Sequence, residues 1–245
     1  MKGELIFGVN PVKESLQSTR GAYNLYVQIS ASDHRVEKII KLAEQRGVAV
    51  HRREKLDLTK MCASSHHQGI ALEVEPFRYT DLNDLLASIS DGGKSGFLLV
   101  LDGIQDPHNL GALIRSAACA GAHGVIIPKD RACGVTAAAE KSSAGAVETI
   151  AVVQVTNVAQ SLATLKESGY WIYGLAGEAK QSVYEINFSG NVVLVIGSEG
   201  EGIRPLVRKQ CDVVMSIPQY GGIESLNASV AGGIALFEVA RKLNA

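Results

Sequence analysis

The sequence predicts an α/β protein in which a parallel sheet, covered by helices on both faces, follows a smaller α/β unit. Two patterns and a break between them carry this expectation. From Phe97 onward, uninterrupted apolar runs alternate with helical patterns. Strands that are apolar on both faces need cover on both faces, the arrangement of a parallel sheet. Before residue 75 the strands are shorter and alternate with helices as in a small sandwich. Between the two lie Pro76, an acidic run and Asp91-Gly-Gly-Lys-Ser-Gly96, the composition of a connection. The expected division is a first domain over residues 1–74, a linker over 75–96 and a main domain over 97–245.

In the first domain, Asn10 and Pro11 read as the cap and first residue of a helix. Leu25–Ile29 alternates like a strand. From Arg35 to Arg46, Val36, Ile39, Ile40, Leu42 and Ala43 recur at helical spacing, and Gly47 ends the helix. Val48–Val50 and Gly69–Val74 read as strands. The linker holds a short helix around Leu82–Ile89. In the main domain, strands are expected over 97–101, 124–127, 149–153, 171–175, 192–196 and 212–217. Helices over 110–120, 134–145, 157–168, 203–210 and 225–243 complete it.

Composition narrows the function classes. No window approaches the roughly 18 apolar residues of a membrane span. The stretch Met1-Lys-Gly-Glu-Leu-Ile-Phe-Gly8 does not read as a secretory signal. Cys62, Cys119, Cys133 and Cys211 lack disulfide or zinc spacing and read as reduced thiols of a cytoplasmic protein. His66 and His67 are neighbours and cannot converge on one ion, so no metal is expected. The net charge of −1 hides a basic start: residues 1–72 hold eleven Lys and Arg against seven Asp and Glu. That bias hints at a polyanionic partner.

Three stretches place polar residues inside apolar surroundings. The first is Asp106-Pro-His-Asn-Leu-Gly-Ala-Leu-Ile-Arg115. Asn109 reads as a helix cap. Leu110, Leu113, Ile114 and Ala117 form the buried stripe, and Arg115 points away from it. An arginine there, past a strand's C-terminal end, suits a phosphate or a carboxylate. The second is Gly197-Ser-Glu-Gly-Glu-Gly202. Its glycine order reverses that of a dinucleotide loop, and its two carboxylates would repel a pyrophosphate. It better suits a ligand with hydroxyl or cationic groups at a sheet edge. The third is Ile217-Pro218 followed by Ser225-Leu-Asn-Ala-Ser-Val230. Ser225 reads as the cap of an uncharged, buried helix. Asn227 and Ser229 would then be polar in a buried first turn and need partners.

In this order and spacing the three motifs resemble those of the SpoU/TrmH family of RNA ribose 2′-O-methyltransferases, within the SPOUT superfamily. The resemblance covers residues 97–245. The segment before it, with His66-His-Gln-Gly-Ile-Ala71, resembles the RNA-binding domain of the bacterial 23S rRNA guanosine-2′-O-methyltransferase branch. The resemblance implies a deep trefoil knot near the C-terminus, a homodimer with a site built from both chains, S-adenosylmethionine as methyl donor and RNA as substrate. It implies catalytic roles for Asn109, Arg115, Glu199, Ser225 and Asn227. Leu175, Gly197, Ile217 and Leu226 match positions lining the cofactor pocket. Glu224 stands where the resemblance leads one to expect a small or neutral residue. A tRNA enzyme of the same family and a non-catalytic RNA-binding or ribosome-assembly factor are the alternatives; the reversed glycine order speaks against a dehydrogenase.

Overall fold

The computed structural model describes residues 3–30, 33–93, 95–222 and 225–244. Its first sheet comprises β1 (Glu4–Phe7), β2 (Ala22–Gln28), β3 (Ala49–Arg53) and β4 (Ile70–Val74), in the order β1-β4-β2-β3. β4 runs antiparallel to β1 and β2, while β2 and β3 are parallel. Alternation along β4 explains the layers. Ile70, Leu72 and Val74 face a core shared with α1 (Val9–Gln17) and α2 (His34–Gln45). Ala71 faces the other way, against Leu58 of α3 (Lys55–Cys62). Each fully buried Leu, Ile or Val contributes about 1.5–3 kcal/mol relative to exposure.

Two details of this unit depart from expectation. The first helix starts at Val9, one residue before Asn10, after Gly8 at φ +101°. Its cap comes from far along the chain: Val9 N–H donates to Gln68 Oε1 at 2.8 Å. The neighbouring His67 is buried. Its Nδ1 accepts from Gly69 N–H at 3.0 Å and its Nε2 meets Thr59 Oγ1 at 3.1 Å. Burial and the charges of Lys55 and Lys141 hold its pKa below the ordinary value. The His67-Gln68-Gly69 run therefore latches α1 and α3 to β4. Strand β1 and helix α3 escaped the sequence reading, because each is short and β1 is fixed by distant pairing.

The second sheet is wholly parallel. It comprises β5 (Phe97–Asp102), β6 (Gly124–Pro128), β7 (Ala151–Val155), β8 (Tyr170–Leu175), β9 (Gln181–Ser182), β10 (Asn191–Gly197) and β11 (Val213–Ser216). The order is β7-β6-β5-β10-β8-β11-β9. Leu99, Leu101, Leu194 and Ile196 face α5 (Pro107–Cys119) and α9 (Ala228–Leu243). Leu98, Val100, Val193 and Val195 face α4 (Leu82–Asp91) and α7 (Val158–Glu167). Both faces are thus covered, as the unbroken apolar runs require. Two shorter helices, α6 (Ala137–Ser142) and α8 (Pro205–Arg208), are trimmed relative to expectation. The chain builds outward from β5 to β7, crosses to β8, and only later inserts β10 between β5 and β8. The carboxyl ends of β5, β10 and β8 therefore flank a point where strand order reverses, the usual position of a ligand crevice.

Two connections link the sheets. Thr80 N–H donates to Val152 O at 2.9 Å, and Leu85 and Ile89 of α4 join the second sheet's core. The buried Arg20 guanidinium donates through Nη1 to Glu140 at 2.8 Å and Glu148 at 2.9 Å, and through Nη2 to Glu4 at 2.8 Å. Its Nε donates to the carbonyl of Glu75 at 2.7 Å. Burial pushes the Glu140 carboxyl up to about 7, with Arg20 opposing the shift.

Candidate active site

The three polar motifs meet at the C-terminal edge of the second sheet. Helix α5 begins at Pro107 and is capped by Asp106, whose side chain accepts from His108 N–H at 2.9 Å. Asn109 is therefore not the cap. It lies in the first turn, buried, with its amide free to act elsewhere. The expected stripe of Leu110, Leu113, Ile114 and Ala117 is buried, and Arg115 is exposed.

The glycine loop after β10 is a tight hairpin. Ser198 N–H donates to Gly202 O at 3.1 Å and Gly202 N–H returns to Ser198 O at 3.0 Å. Gly200 and Gly202 take φ of +82° and +67°, which a side chain would strain. At Gly197 a Cβ would stand 2.0 Å from the carbonyl carbon of Gly202, so only glycine lets the hairpin close over the strand end. The hairpin is anchored from below by Asp102, the last residue of β5 and buried. Its carboxylate accepts from Arg204 N–H at 2.8 Å and from Arg204 Nε at 2.7 Å and Nη2 at 2.5 Å. Glu199 is held at the hairpin's tip.

Helix α9 starts at Ala228, and its cap is Asn227 rather than Ser225. Asn227 Oδ1 accepts from Ser229 N–H at 2.9 Å, Ser229 Oγ at 2.6 Å and Val230 N–H at 3.3 Å. Capping fixes the side chain so that Nδ2 points into the site. There it donates to Glu199 Oε1 at 2.8 Å and to Asn109 Oδ1 at 3.1 Å, while Asn109 Nδ2 donates to Glu199 Oε1 at 2.5 Å. One residue from each motif thus closes a ring of hydrogen bonds. Close helix packing brings them together: a Cβ at Gly232 would meet Leu113 Cδ2 at 2.3 Å and Ile196 Cδ1 at 2.7 Å. The expected burial of this first turn is corrected, since Asn227 is exposed and Ser229 only half-buried.

The other candidates fall into two groups. Leu175 ends β8 opposite Ile196 of β10, Gly197 ends β10, and Ile217 directly follows β11. With the exposed Leu226 they border the same edge. Ser225 is exposed in the approach to α9 and lies outside the hydrogen-bonded ring. Arg115 also lies outside it, without a hydrogen bond to Asn109, Glu199 or Asn227. Glu224 lies outside the described residues. Sequence reasoning missed Asp102 and Arg204. The signal was an aspartate closing the apolar run of β5, which has no packing reason to be there.

Comparison with known proteins decides the family. A model of the SpoU rRNA methylase family matches residues 96–237, and a model described as RNA 2′-O ribose methyltransferase substrate binding matches residues 5–80. The chain belongs to the SpoU rRNA methylase family. It is 41% identical over 242 residues to a 23S rRNA (guanosine-2′-O-)-methyltransferase RlmB of Xylella fastidiosa, covering 98% of this chain and 97% of that protein. It is 38% identical to the putative TrmH family tRNA/rRNA methyltransferase YacO of Bacillus subtilis, over 98% and 96% of the two chains. Its fold matches the SpoU methyltransferase AviRb of Streptomyces viridochromogenes, solved with AdoMet, at a TM-score of 0.81 and 22% identity, covering 97% of this chain and 89% of that one. For this SpoU chain, the sheet edge carrying the Asn109–Glu199–Asn227 ring is the candidate active site.

Proposed function

We propose that this SpoU-family chain transfers a methyl group from S-adenosylmethionine to a ribose 2′-hydroxyl of RNA, on a guanosine of 23S rRNA. The observation that carries the reading is the ring of Asn109, Glu199 and Asn227, assembled from three motifs at the strand-order reversal. The 41% identity to a 23S rRNA guanosine methyltransferase across nearly the whole of both chains favours rRNA over tRNA.

The residues at the edge fit the cofactor. Leu175, Ile217 and Leu226 offer apolar contact for an adenine and a thioether chain, and the turn around Gly197 brings backbone close without a side chain in the way. When bound, S-adenosylmethionine supplies a sulfonium methyl that is already electrophilic. The protein's work is then alignment, and holding reactants in line contributes up to roughly 7–11 kcal/mol in favourable cases. Glu199 uses Oε1 for both asparagine amides, leaving Oε2 to accept from a ribose hydroxyl. Ser225, exposed and two residues before the Asn227 cap on the chain leading into α9, is assigned to the substrate rather than to the helix. Held at this edge, the donor would supply the methyl that the 2′-oxygen takes in exchange for its proton, which would leave to a substrate phosphate or water. A guanidinium, which stays protonated at neutral pH, is a poor proton acceptor. Arg115 therefore holds the adjacent phosphate and stabilises developing charge.

Arg115 does this across a homodimer. Two observations support that reading: Arg115 makes no bond to its own chain's ring, and Val230 and Phe237 are exposed seven residues apart on one side of α9. The burial expected of this uncharged helix is then completed by the partner copy. Domain roles follow the expected division. Residues 1–74 bind RNA, 75–96 connect, and 97–245 carry the cofactor and a trefoil-knotted C-terminus. Among the described residues no helix is long and apolar enough to cross a membrane. A cytoplasmic enzyme acting on ribosomal RNA fits the four free cysteines.

Calorimetric titration tests the cofactor: S-adenosylhomocysteine binds and NADH does not. Binding of NADH alone would overturn the reading. Mapping of 2′-O-methyl positions in total RNA with and without the gene identifies the nucleotide, and no lost rRNA position would refute the substrate.

A further inference from the structure

The first sheet carries a side-chain cluster that packing does not account for. β2 and β3 are parallel with Tyr26 opposite His51 and Gln28 opposite Arg53. Leu25 and Val27 of β2 point into the helix-covered core, so Asn24, Tyr26 and Gln28 point to the other face. On that face the Tyr26 and His51 rings stack with centroids 5.5 Å apart and planes 27° from parallel. The Arg53 guanidinium carbon lies over the Tyr26 ring, 5.7 Å from its centroid.

The cluster is held in place by polar contacts. Glu73 Oε2, on β4, accepts from Asn24 Nδ2 at 2.8 Å and from the Tyr26 hydroxyl at 3.3 Å. Asn24 Oδ1 in turn accepts from His51 Nε2 at 3.0 Å, which fixes the imidazole plane. Tyr26 also rests partly on the small core around Leu58 and Phe7. The rings are therefore ordered before any ligand arrives.

Arg53 is exposed at the sheet edge, since β3 is the last strand, and forms no ion pair among the described residues; Arg52, opposite Val27, belongs to the other face. Lys55 follows Arg53 two residues on, at the start of α3. Ordered π-faces topped by a guanidinium plane and edged with free positive charge are what an unpaired nucleobase and its phosphates require. A double helix offers no free base face to such a surface.

We propose that the Tyr26–His51–Arg53 cluster is a stacking platform for an unpaired base of the RNA substrate, with Lys55 meeting a flanking phosphate. This rests on the reading of the chain as an RNA methyltransferase and names where the first domain grips single-stranded RNA.

The test uses the full-length protein and a fluorescein-labelled single-stranded oligoribonucleotide of about ten mixed residues, alone and annealed to its complement. Arg53→Lys keeps the charge and loses the planar stack, so single-strand affinity falls about tenfold, the scale of one lost base–side-chain stack. His51→Ala falls similarly, whereas His51→Phe, which keeps a flat ring, stays near wild type. Duplex affinity is unchanged by all three. On a 23S rRNA transcript Arg53→Lys and His51→Ala raise KM while His51→Phe does not, and all three leave kcat and S-adenosylhomocysteine affinity unaltered. The platform is overturned if Arg53→Lys binds the single strand like wild type, or if duplex and single strand lose affinity equally, since either outcome leaves only charge. If instead wild-type protein methylates no RNA, the functional reading fails independently of the platform.

Discussion

Asp102 gives the most quantitative test of how the site is built. Its carboxylate is wholly enclosed and receives three donors from a single residue, Arg204, at 2.8, 2.7 and 2.5 Å. Replacing it by asparagine changes almost no volume. One oxygen remains for the Arg204 backbone N–H, but the other becomes an amide donor facing two guanidinium donors. Hydrogen bonds to charged groups are each worth about 1.5–3 kcal/mol, and breaking one side of a buried pair costs about 3–5 kcal/mol. Arg204 is 41% exposed, so water recovers part of its solvation. We therefore expect Asp102→Asn to lose about 2–4 kcal/mol. At roughly 2–4 °C per kcal/mol for a chain of this size, Tm falls by about 5–15 °C. The hairpin holding Glu199 loses its anchor, so if about 1.4 kcal/mol falls on that loop, S-adenosylhomocysteine affinity drops about tenfold. Differential scanning calorimetry and titration calorimetry measure the two effects. A double-mutant cycle with Arg204→Ala should give a coupling of about 1–3 kcal/mol. Additive single mutants, or an Asp102→Asn protein with unchanged cofactor affinity, would refute the claim that this pair holds the loop.

Arg115→Ala should fold, because the side chain is exposed, and should bind cofactor while methyl incorporation into RNA falls about 10²-fold or more. Arg115→Lys stays low if the guanidinium clamps a phosphate bidentately; recovery with lysine would reduce its role to general charge. Mixing Arg115→Ala subunits with Glu199→Ala subunits should restore activity if the site is shared between protomers, and no restoration would place Arg115 within its own chain's site. Glu140→Gln tests the buried cluster around Arg20. With its folded pKa raised from 4.5 to about 7, Glu140 holds a proton that the unfolded chain releases, so its contribution to stability declines as pH rises through that window. The variant should therefore gain Tm relative to wild type at pH about 8.5 and gain least near pH 4.5. A variant less stable than wild type at the higher pH would mean that the Arg20 ion pair outweighs burial.

The architecture of the main domain was legible because its signal is local and repeated. Strands buried on both faces have no polar alternation, and this held for β5, β6, β8 and β10 within a residue or two of the expected ends. The first domain was less legible. A four-residue strand such as β1 becomes a strand through pairing with Val74, Glu73, Leu72 and Ala71, nearly seventy residues away, and nothing near Glu4–Phe7 announces that partner. The start of α1 is similar. The local rule chose Asn10 because asparagine caps well, but Gln68 supplies the bond from β4's approach and moves the helix start to Val9.

The site divides along the same physical line. Asn109, Glu199 and Asn227 stood out in sequence because each is polar where packing asks for none. What the sequence misassigned was how each is held. Asn109 and Ser225 were read as caps, a role taken by Asp106 and Asn227. The difference matters chemically. A cap spends its side-chain oxygen on the helix it starts, so an Asn109 used as a cap could not also present that oxygen to the ring. With Asp106 capping α5, both ends of the Asn109 amide enter the site: Oδ1 accepts from Asn227 and Nδ2 donates to Glu199. Asn227 divides its functions by atom, Oδ1 to the helix and Nδ2 to the ring. The ring's geometry is thereby inherited from a helix start rather than from a flexible side chain. A substitution that preserves capping but not the amide, Asn227→Asp, would keep α9 in place while setting a second carboxylate oxygen against Glu199.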